Sequence, residues 1–417
     1  MKATRDDRGR PTLVVLVIGA TGTFGERLVR HLAREPGLRI VPAARRPAPL
    51  LALAASLGLR DTLAIDRATI DAATLRERCI DLVIDASGPF LRQSPSVVVA
   101  AIEAGAHYLD LADGRDFVTD IGRFDAAARR AGVAVVSGAS STPALSHAVV
   151  DTLCADWRRI DTLGATICPS NRQRVGLAVV RSILSTVGRP VRVFDQGRWT
   201  TSRGWSRTRR FRFPGIGRRY ASLVETPDLD LFVSRYRPTT SATFEAGLGL
   251  PVEHLALAAI GTLVRLGLPR SAAPLARPLH ALGNRLRHFG VDVGVMEVRA
   301  EGLDARGSPT RARWRLRASG ESGPHVPTLA ALALTRHLRD GTLGPAPDTR
   351  ASGAETTDRF GGARPCVGLL TLDDFADDLA RLGVTTSTDV RTEVADPGVG
   401  EAPPRPSPAA PSAATPS

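Results

Sequence analysis

Hydrophobic positions in the first third of the chain come in short runs, separated by stretches with helical spacing. LVVLVIG (13–19), LRIVPAA (38–44), DTLAID (61–66), DLVIDAS (81–87), HYLDLA (107–112) and VAVVSGA (133–139) have the length and β-branched content of strands. Between the first two lies ERLVRHLARE (26–35), where Leu28, Val29 and Leu32 share one face and Arg27, Arg30 and Arg34 point outward. Strands alternating with helices predict an α/β fold with a doubly wound parallel sheet covered on both faces. After about Ser140 the pattern changes. Residues 160–250 and 291–318 read as strands separated by turns, with helical periods at 173–187 and 252–288. RARWRLRA (311–318) is the clearest strand, with Arg311, Arg313, Arg315 and Arg317 on one side and Ala312, Trp314, Leu316 and Ala318 on the other. A helix at 327–341 closed by Gly341, a polar insertion at 344–363 and a helix capped by Thr371 follow. The predicted organisation is a parallel-sheet domain (11–145), a second α+β domain with a mainly antiparallel sheet (146–324), C-terminal helices (325–386), and a disordered Pro-, Ala- and Ser-rich tail (395–417).

Composition narrows the chemistry. The 417 residues carry 55 basic and 42 acidic side chains, a formal net charge of +13, and 43% are hydrophobic, which is globular composition. Lys2 is the only lysine. An internal lysine base or Schiff-base nucleophile is thereby excluded, and positive sites rest on arginine, which stays charged and pairs in a planar manner with carboxylate or phosphate. Cys79, Cys154, Cys168 and Cys366 lie far apart without a CxxC, so neither a metal site nor a disulfide framework is expected, and a reducing cytoplasm fits. The apolar run from Leu13 to Ile18 is too short for a signal-peptide core. The run from Leu255 to Leu268 is interrupted by Arg265 and falls short of the ~20 residues of a membrane span. It reads as a buried helix, with peripheral contact at a membrane surface as the alternative. Residues 189–219 hold ten arginines against Asp195, with Trp199, Trp205, Phe211 and Phe213 interleaved. Three readings stand: a cationic face for an acidic or carrier-linked partner, a nucleic-acid or anionic-membrane surface, and a solvated arginine-biased ribbon. No nucleic-acid-binding motif accompanies the charge, so nucleic acid is not expected.

Directly after the first strand comes Gly19-Ala-Thr21-Gly22-Thr23-Phe24-Gly25, followed by a helix. In this context Gly19 permits the tight turn, Gly22 lets the backbone approach a pyrophosphate, and Gly25 lets helix and strand pack closely. The phosphates then sit on the helix N-terminus. The pattern predicts a Rossmann-type dinucleotide site. Enzymes that use NAD place an acid after the second strand, but here stand Arg45 and Arg46, whose guanidinium groups suit a 2′-phosphate; NADP is therefore expected over NAD. Pro42, awkward inside an interior strand, raises the alternative that this strand ends early and moves the arginines. Asp66 ends the third strand near the adenine, and Ser87-Gly88-Pro89-Phe90 leaves room for the nicotinamide ribose, with Phe90 either on the ring or in the core.

GATGTFG, the two arginines, ASGPF and GAHYLDLADG together resemble the saccharopine dehydrogenase-like NADP-binding family, well over 13–145 and more loosely through STPALSHAVVD (141–151), FRFPGIGRR (211–219) and ARPCVGLLTLDDF (363–375). The resemblance implies a Rossmann domain followed by an α/β substrate domain that often carries a dimer contact, with the C-terminal helices (325–386) packing back on the first domain. It implies dinucleotide contacts from Gly19, Thr21, Gly22, Phe24, Gly25, Arg45, Asp66, Ser87, Gly88 and Phe90. It also implies hydride chemistry on a C=N, C=O or activated C=C bond of a small or carrier-linked substrate, in a homodimer. The lysine-forming branch uses a catalytic lysine that this chain lacks. Trans-acting enoyl reductases of lipid synthesis belong to the same family, and a non-catalytic NADP-binding scaffold is the alternative. Tyr108 as proton donor and Asp110 as orienting carboxylate are the catalytic candidates, weighed against a buried tyrosine and a capping aspartate. Ser137, Ser140, Ser141 and His147 read as a polar substrate-lining loop, since no GxSxG supports a nucleophile there.

Overall fold

The computed structural model of the protein describes residues 4–5, 11–90, 93–170, 172, 176–214, 216–268, 271–343 and 361–392. Its first seven strands are β1 (Thr4–Arg5), β2 (Pro11–Ile18), β3 (Leu38–Ala44), β4 (Leu63–Ala64), β5 (Leu82–Asp85), β6 (His107–Asp110) and β7 (Ala134–Ser137). The second domain supplies β8 (Arg159–Cys168), β9 (Pro190–Asp195), β10 (Arg198–Arg203), β11 (Arg209–Phe213), β12 (Gly217–Leu223), β13 (Ser241–Ala246), β14 (Val293–Leu303) and β15 (Pro309–Ser319). β16 (Gly362–Pro365) and β17 (Thr385–Thr392) follow.

The first sheet runs β4-β3-β2-β5-β6-β7-β16, with parallel neighbours throughout and β1 antiparallel against the start of β2. Val14 to Val17 are wholly buried because helices cover both faces, which is why β2 reads as an unbroken apolar run. Val15, Val17, Ile84 and Leu109 pack with Leu28, Val29 and Leu32 of the helix Thr23–Leu32. Val14, Leu16, Val83 and Tyr108 pack with Val97 and Val98 of the helix Ser96–Ala104 on the other face. Each such side chain contributes roughly 1.5–3 kcal/mol by leaving water. Pro42 does not shorten β3. It lies opposite Val17, while β4 pairs only with Ala43 and Ala44, so at Pro42 the strand has a neighbour on one side alone. Arg45 therefore follows the end of the sheet directly.

The second sheet runs β10-β9-β13-β8-β14-β15-β17, with the β11–β12 hairpin joined to β13. Only the β8–β13 pairing is parallel among these neighbours. On β15, Ala312, Trp314, Leu316 and Ala318 are buried and Arg311, Arg313 and Arg317 exposed, in the alternation read from the sequence. The last part of the chain serves both sheets. β16 pairs with β7, and β17, a strand the apolar pattern does not signal, pairs with β15. Ahead of both strands, Arg336 of the helix Leu329–Asp340 bridges Glu35 (2.6 Å) and Asp378 (2.6 Å), tying the C-terminal helices to the first domain. Gly362 and Ala363 of the expected polar insertion are strand residues, while its stretch 344–360 and the expected tail 395–417 lie outside the described residues.

The helical period at 252–288 resolves into helices Pro251–Arg265 and Ala276–Leu286. The expected burial of the 255–268 run holds for one face only: Leu257 and Val264 are buried, whereas Leu255, Leu263, Leu266 and Leu268 face solvent. No described helix is long and apolar enough to cross a membrane.

Candidate functional site

β2 and β5 are neighbours, and the chain winds from them in opposite directions, toward β3–β4 and toward β6–β7. At such a switch point the carboxyl ends of the strands open a crevice. The glycine turn fills its floor. Gly19 adopts φ +76°, and a Cβ there would sit 2.8 Å from the Cα of Ser87, so the turn is pressed against the exit of β5. A Cβ on Gly25 would meet the carbonyl oxygen of Gly19 at 2.1 Å, so only glycine lets the helix start this close. Ala20 N donates to Ala43 O at 3.0 Å, which fixes the turn to the end of β3. Gly22 is the N-cap of the helix Thr23–Leu32 and no side chain caps it, leaving the first amides for an anion. Thr21, Gly22 and Thr23 lie along the accessible rim, while Phe24 packs against the core.

Arg45 and Arg46 stand exposed immediately beyond β3, with no carboxylate paired to them among the described residues. Arg46 also starts the helix Pro47–Leu57. Asp66 is exposed past β4 and accepts from Ala68 N at 2.9 Å. On the β5 side, Gly88 and Pro89 are exposed, and Ser87 Oγ donates to Asp85 Oδ1 at 2.5 Å. Phe90 belongs to the core: it is buried with its ring 5.5 Å from that of Phe117. A phosphate-tolerant glycine cradle, an uncapped helix start and two unpaired guanidinium groups fit an NADP molecule.

The acid–base candidates lie deeper than their sequence positions imply. Tyr108 shares a face with Asp110, as period two requires, but it is wholly enclosed in the core and its hydroxyl has no hydrogen-bond partner among the described residues. Burial, then the charges of Asp110 and Asp85, push its phenol well above the usual range, so it stays protonated. Tyr108, expected as a proton donor at an open sheet edge, is enclosed in the core. Asp110 is also enclosed. Its Oδ1 accepts from Ala112 N (2.9 Å), Ser137 Oγ (2.9 Å) and Gly138 N (2.8 Å), while Oδ2 has no partner among the described residues. Burial outweighs these donors and raises Asp110 to about 7.

Two groups escaped the sequence reading. Arg67 Nε donates to the wholly buried Asp85 at 2.7 Å, bringing a cation beneath the β5 exit. Both residues stand beside motifs already noted, yet only the crossover brings them together. At the meeting of the domains, Arg115 donates from Nε and Nη2 to Asp230 at 2.6 and 2.7 Å. Ser146 Oγ donates to Asp228 at 2.9 Å, and His147 Nε2 lies 3.2 Å from the same carboxylate, all three wholly buried. The loop after β7 is thus packed against the second domain. Among the described residues no cluster of three metal-ligating side chains occurs.

The parallel sheet and its glycine turn define a Rossmann-type dinucleotide-binding domain. Residues 15–148 match the family described as saccharopine dehydrogenase NADP binding domain, about a third of the chain. The matched segment coincides with the first domain, which is an NADP-binding domain. A sequence comparison with curated proteins finds no match. Among solved structures, apo saccharopine dehydrogenase (L-Glu forming) from Saccharomyces cerevisiae is similar with a TM-score of 0.64 and 14% identity, over 91% of this chain and 100% of that one. Homospermidine synthase from Legionella pneumophila, solved with NAD, gives 0.54 and 10% over 94% and 95% of the two chains. At these identities the likeness concerns the fold.

Proposed function

We propose that the protein is an NADP-dependent oxidoreductase that reduces, or oxidises in reverse, a C=N, C=O or activated C=C bond of a small or carrier-linked substrate. The observation that carries this reading is the pair Arg45–Arg46, without a carboxylate partner among the described residues, at the end of β3 beside a glycine turn seated on β5. The bound dinucleotide supplies or accepts a hydride. Gly22 and the helix amides hold its phosphates, Arg45 and Arg46 take the 2′-phosphate, and Ser87, Gly88 and Pro89 border the nicotinamide ribose. Asp110 holds a proton near neutral pH, and the buried Tyr108 stays protonated. Fluorescence titration of the purified protein with NADPH and NADH tests the cofactor assignment: NADPH binds the more tightly, and absence of binding by either overturns the reading.

The enclosure of Tyr108 and Asp110 favours a second reading, a module that binds NADP without turnover. NADPH consumption across a panel of imines, ketones and enoyl thioesters separates the two. Turnover with any class supports the enzyme, and binding without turnover across the panel supports the module.

A further inference from the structure

The helices Pro251–Arg265 and Ala276–Leu286 lie outside the cofactor site and turn apolar side chains to solvent. On the first, His254, Leu257, Gly261 and Val264 face the protein. The opposite stripe carries Val252, Leu255, Ala259, Leu263 and Leu266, of which Val252 and Leu266 are 62% and 63% exposed. Leu268 beyond it reaches 70%, and Phe289, after the second helix, 79%. This inverts the usual pattern, in which the outward face of a surface helix is polar. The helices meet, since a Cβ on Gly283 would lie 3.8 Å from Glu253 Oε1.

Charge around these side chains selects the occupant. Between residues 251 and 291 the sequence has five arginines and one acid, Glu253. Arg265, Arg277 and Arg285 are exposed, and no carboxylate pairs with them among the described residues. A second copy of the chain would set this cationic rim against itself. An anionic lipid surface complements it: apolar side chains enter the boundary between headgroups and acyl chains, and guanidinium groups meet phosphates. Because no described helix is long enough to span, the helices lie on such a surface and do not cross it.

We propose that the face formed by these two helices docks the protein on an anionic phospholipid bilayer, with Leu266, Leu268 and Phe289 as the inserted side chains. Co-sedimentation of the full chain with mixed phosphatidylcholine–phosphatidylglycerol vesicles tests it, with pure phosphatidylcholine vesicles as the comparison. The expected result is binding to the mixed vesicles at least about tenfold tighter than to the neutral ones, weakened by added salt. Leu266→Asp combined with Phe289→Asp abolishes that binding while melting temperature and NADPH titration hold, because both side chains lie outside the core. Absence of binding to mixed vesicles, or equal binding by the variant, overturns the proposal. So does a wild-type dimer that the variant disperses, which would make a second copy the occupant.

Discussion

At the end of β3, Arg45 and Arg46 stand without an acid partner among the described residues, whereas in the second domain Arg209 closes on Glu245, its Nε 2.6 Å from Oε1 and its Nη2 2.5 Å from Oε2. Arg299 reaches the same carboxylate at 3.1 Å and Thr166 Oγ1 at 3.1 Å. The side chain is the same and the consequence differs. A guanidinium held by an internal carboxylate spends its charge on cohesion, and one left to solvent keeps it for a ligand. The 189–219 segment divides along this line. Arg192 pairs with Asp230 at 2.8 Å and covers Trp199 at 4.3 Å, Arg207 pairs with Asp195 at 2.8 Å, and Arg219 donates to the carbonyls of Ile216 and Arg218. With Arg209, four of its ten arginines are already engaged. A cationic face for an acidic partner would rest on those that remain exposed, such as Arg210, Arg212 and Arg218.

The largest expected effect comes from removing the shared acid. Burial pushes the Glu245 carboxyl up, but Arg209 and Arg299 outweigh it and hold it below the usual range. Glu245→Ala leaves two arginines uncompensated and should cost about 3–5 kcal/mol in urea unfolding at pH 7. Because the carboxyl is depressed, that stabilisation is present at neutral pH and fades as acidification protonates it, so wild type and variant should converge in acid. At the other site, Arg45→Ser with Arg46→Ser should weaken NADPH binding about 100-fold by titration, at ~1.5 kcal/mol or more for each charged contact, and leave NADH affinity and melting temperature nearly unchanged. Equal losses for both cofactors would place the arginines away from the 2′-phosphate.

A smaller effect follows from Asp110. Its folded carboxyl titrates at about 7, above its ordinary value, so the native state holds the proton longer than the unfolded chain. Wild-type stability should therefore fall as pH rises from about 4 to 7 and level off above, and Asp110→Asn should flatten that slope in melting curves. The smallest change is expected for Arg210→Ser with Arg212→Ser, within about 0.5 kcal/mol of wild type and with NADPH affinity retained. A loss of cofactor binding there would put the β11–β12 hairpin at the dinucleotide.

Local periodicity made β2, β3, β5, β6 and β7 legible, and the glycine turn with its flanking strand and helix located the cofactor crevice. Period two also placed Tyr108 and Asp110 on one face. Depth was beyond its reach, because the enclosure of Tyr108 depends on the helix Ser96–Ala104 and on the neighbouring strands. Pairings such as Arg67 with Asp85 or Arg209 with Glu245 were equally hidden, since sequence separation carries no record of which crossovers close in space. β17 escaped for another reason: TTSTDVRT is mostly exposed on both faces, so no apolar alternation marks it. The 255–268 run misled in the opposite direction, because a hydrophobic helix looks the same in sequence whether protein or something else covers its outer face.

β16 has a consequence for synthesis. Its partner β7 is made more than 220 residues earlier, with Ala363 lying opposite Val135. As the chain grows, the NADP-binding sheet can assemble through β7 while that strand's outer edge still offers unpaired amides and carbonyls to any neighbouring strand. The edge closes only after residues 362–365 have been translated, and β17 then joins β15 in the second sheet. Newly made chains would thus pass through an interval in which the cofactor domain is folded but its border is open. NADP bound during that interval would stabilise the part already folded and shorten the time the open edge spends unfolding and refolding.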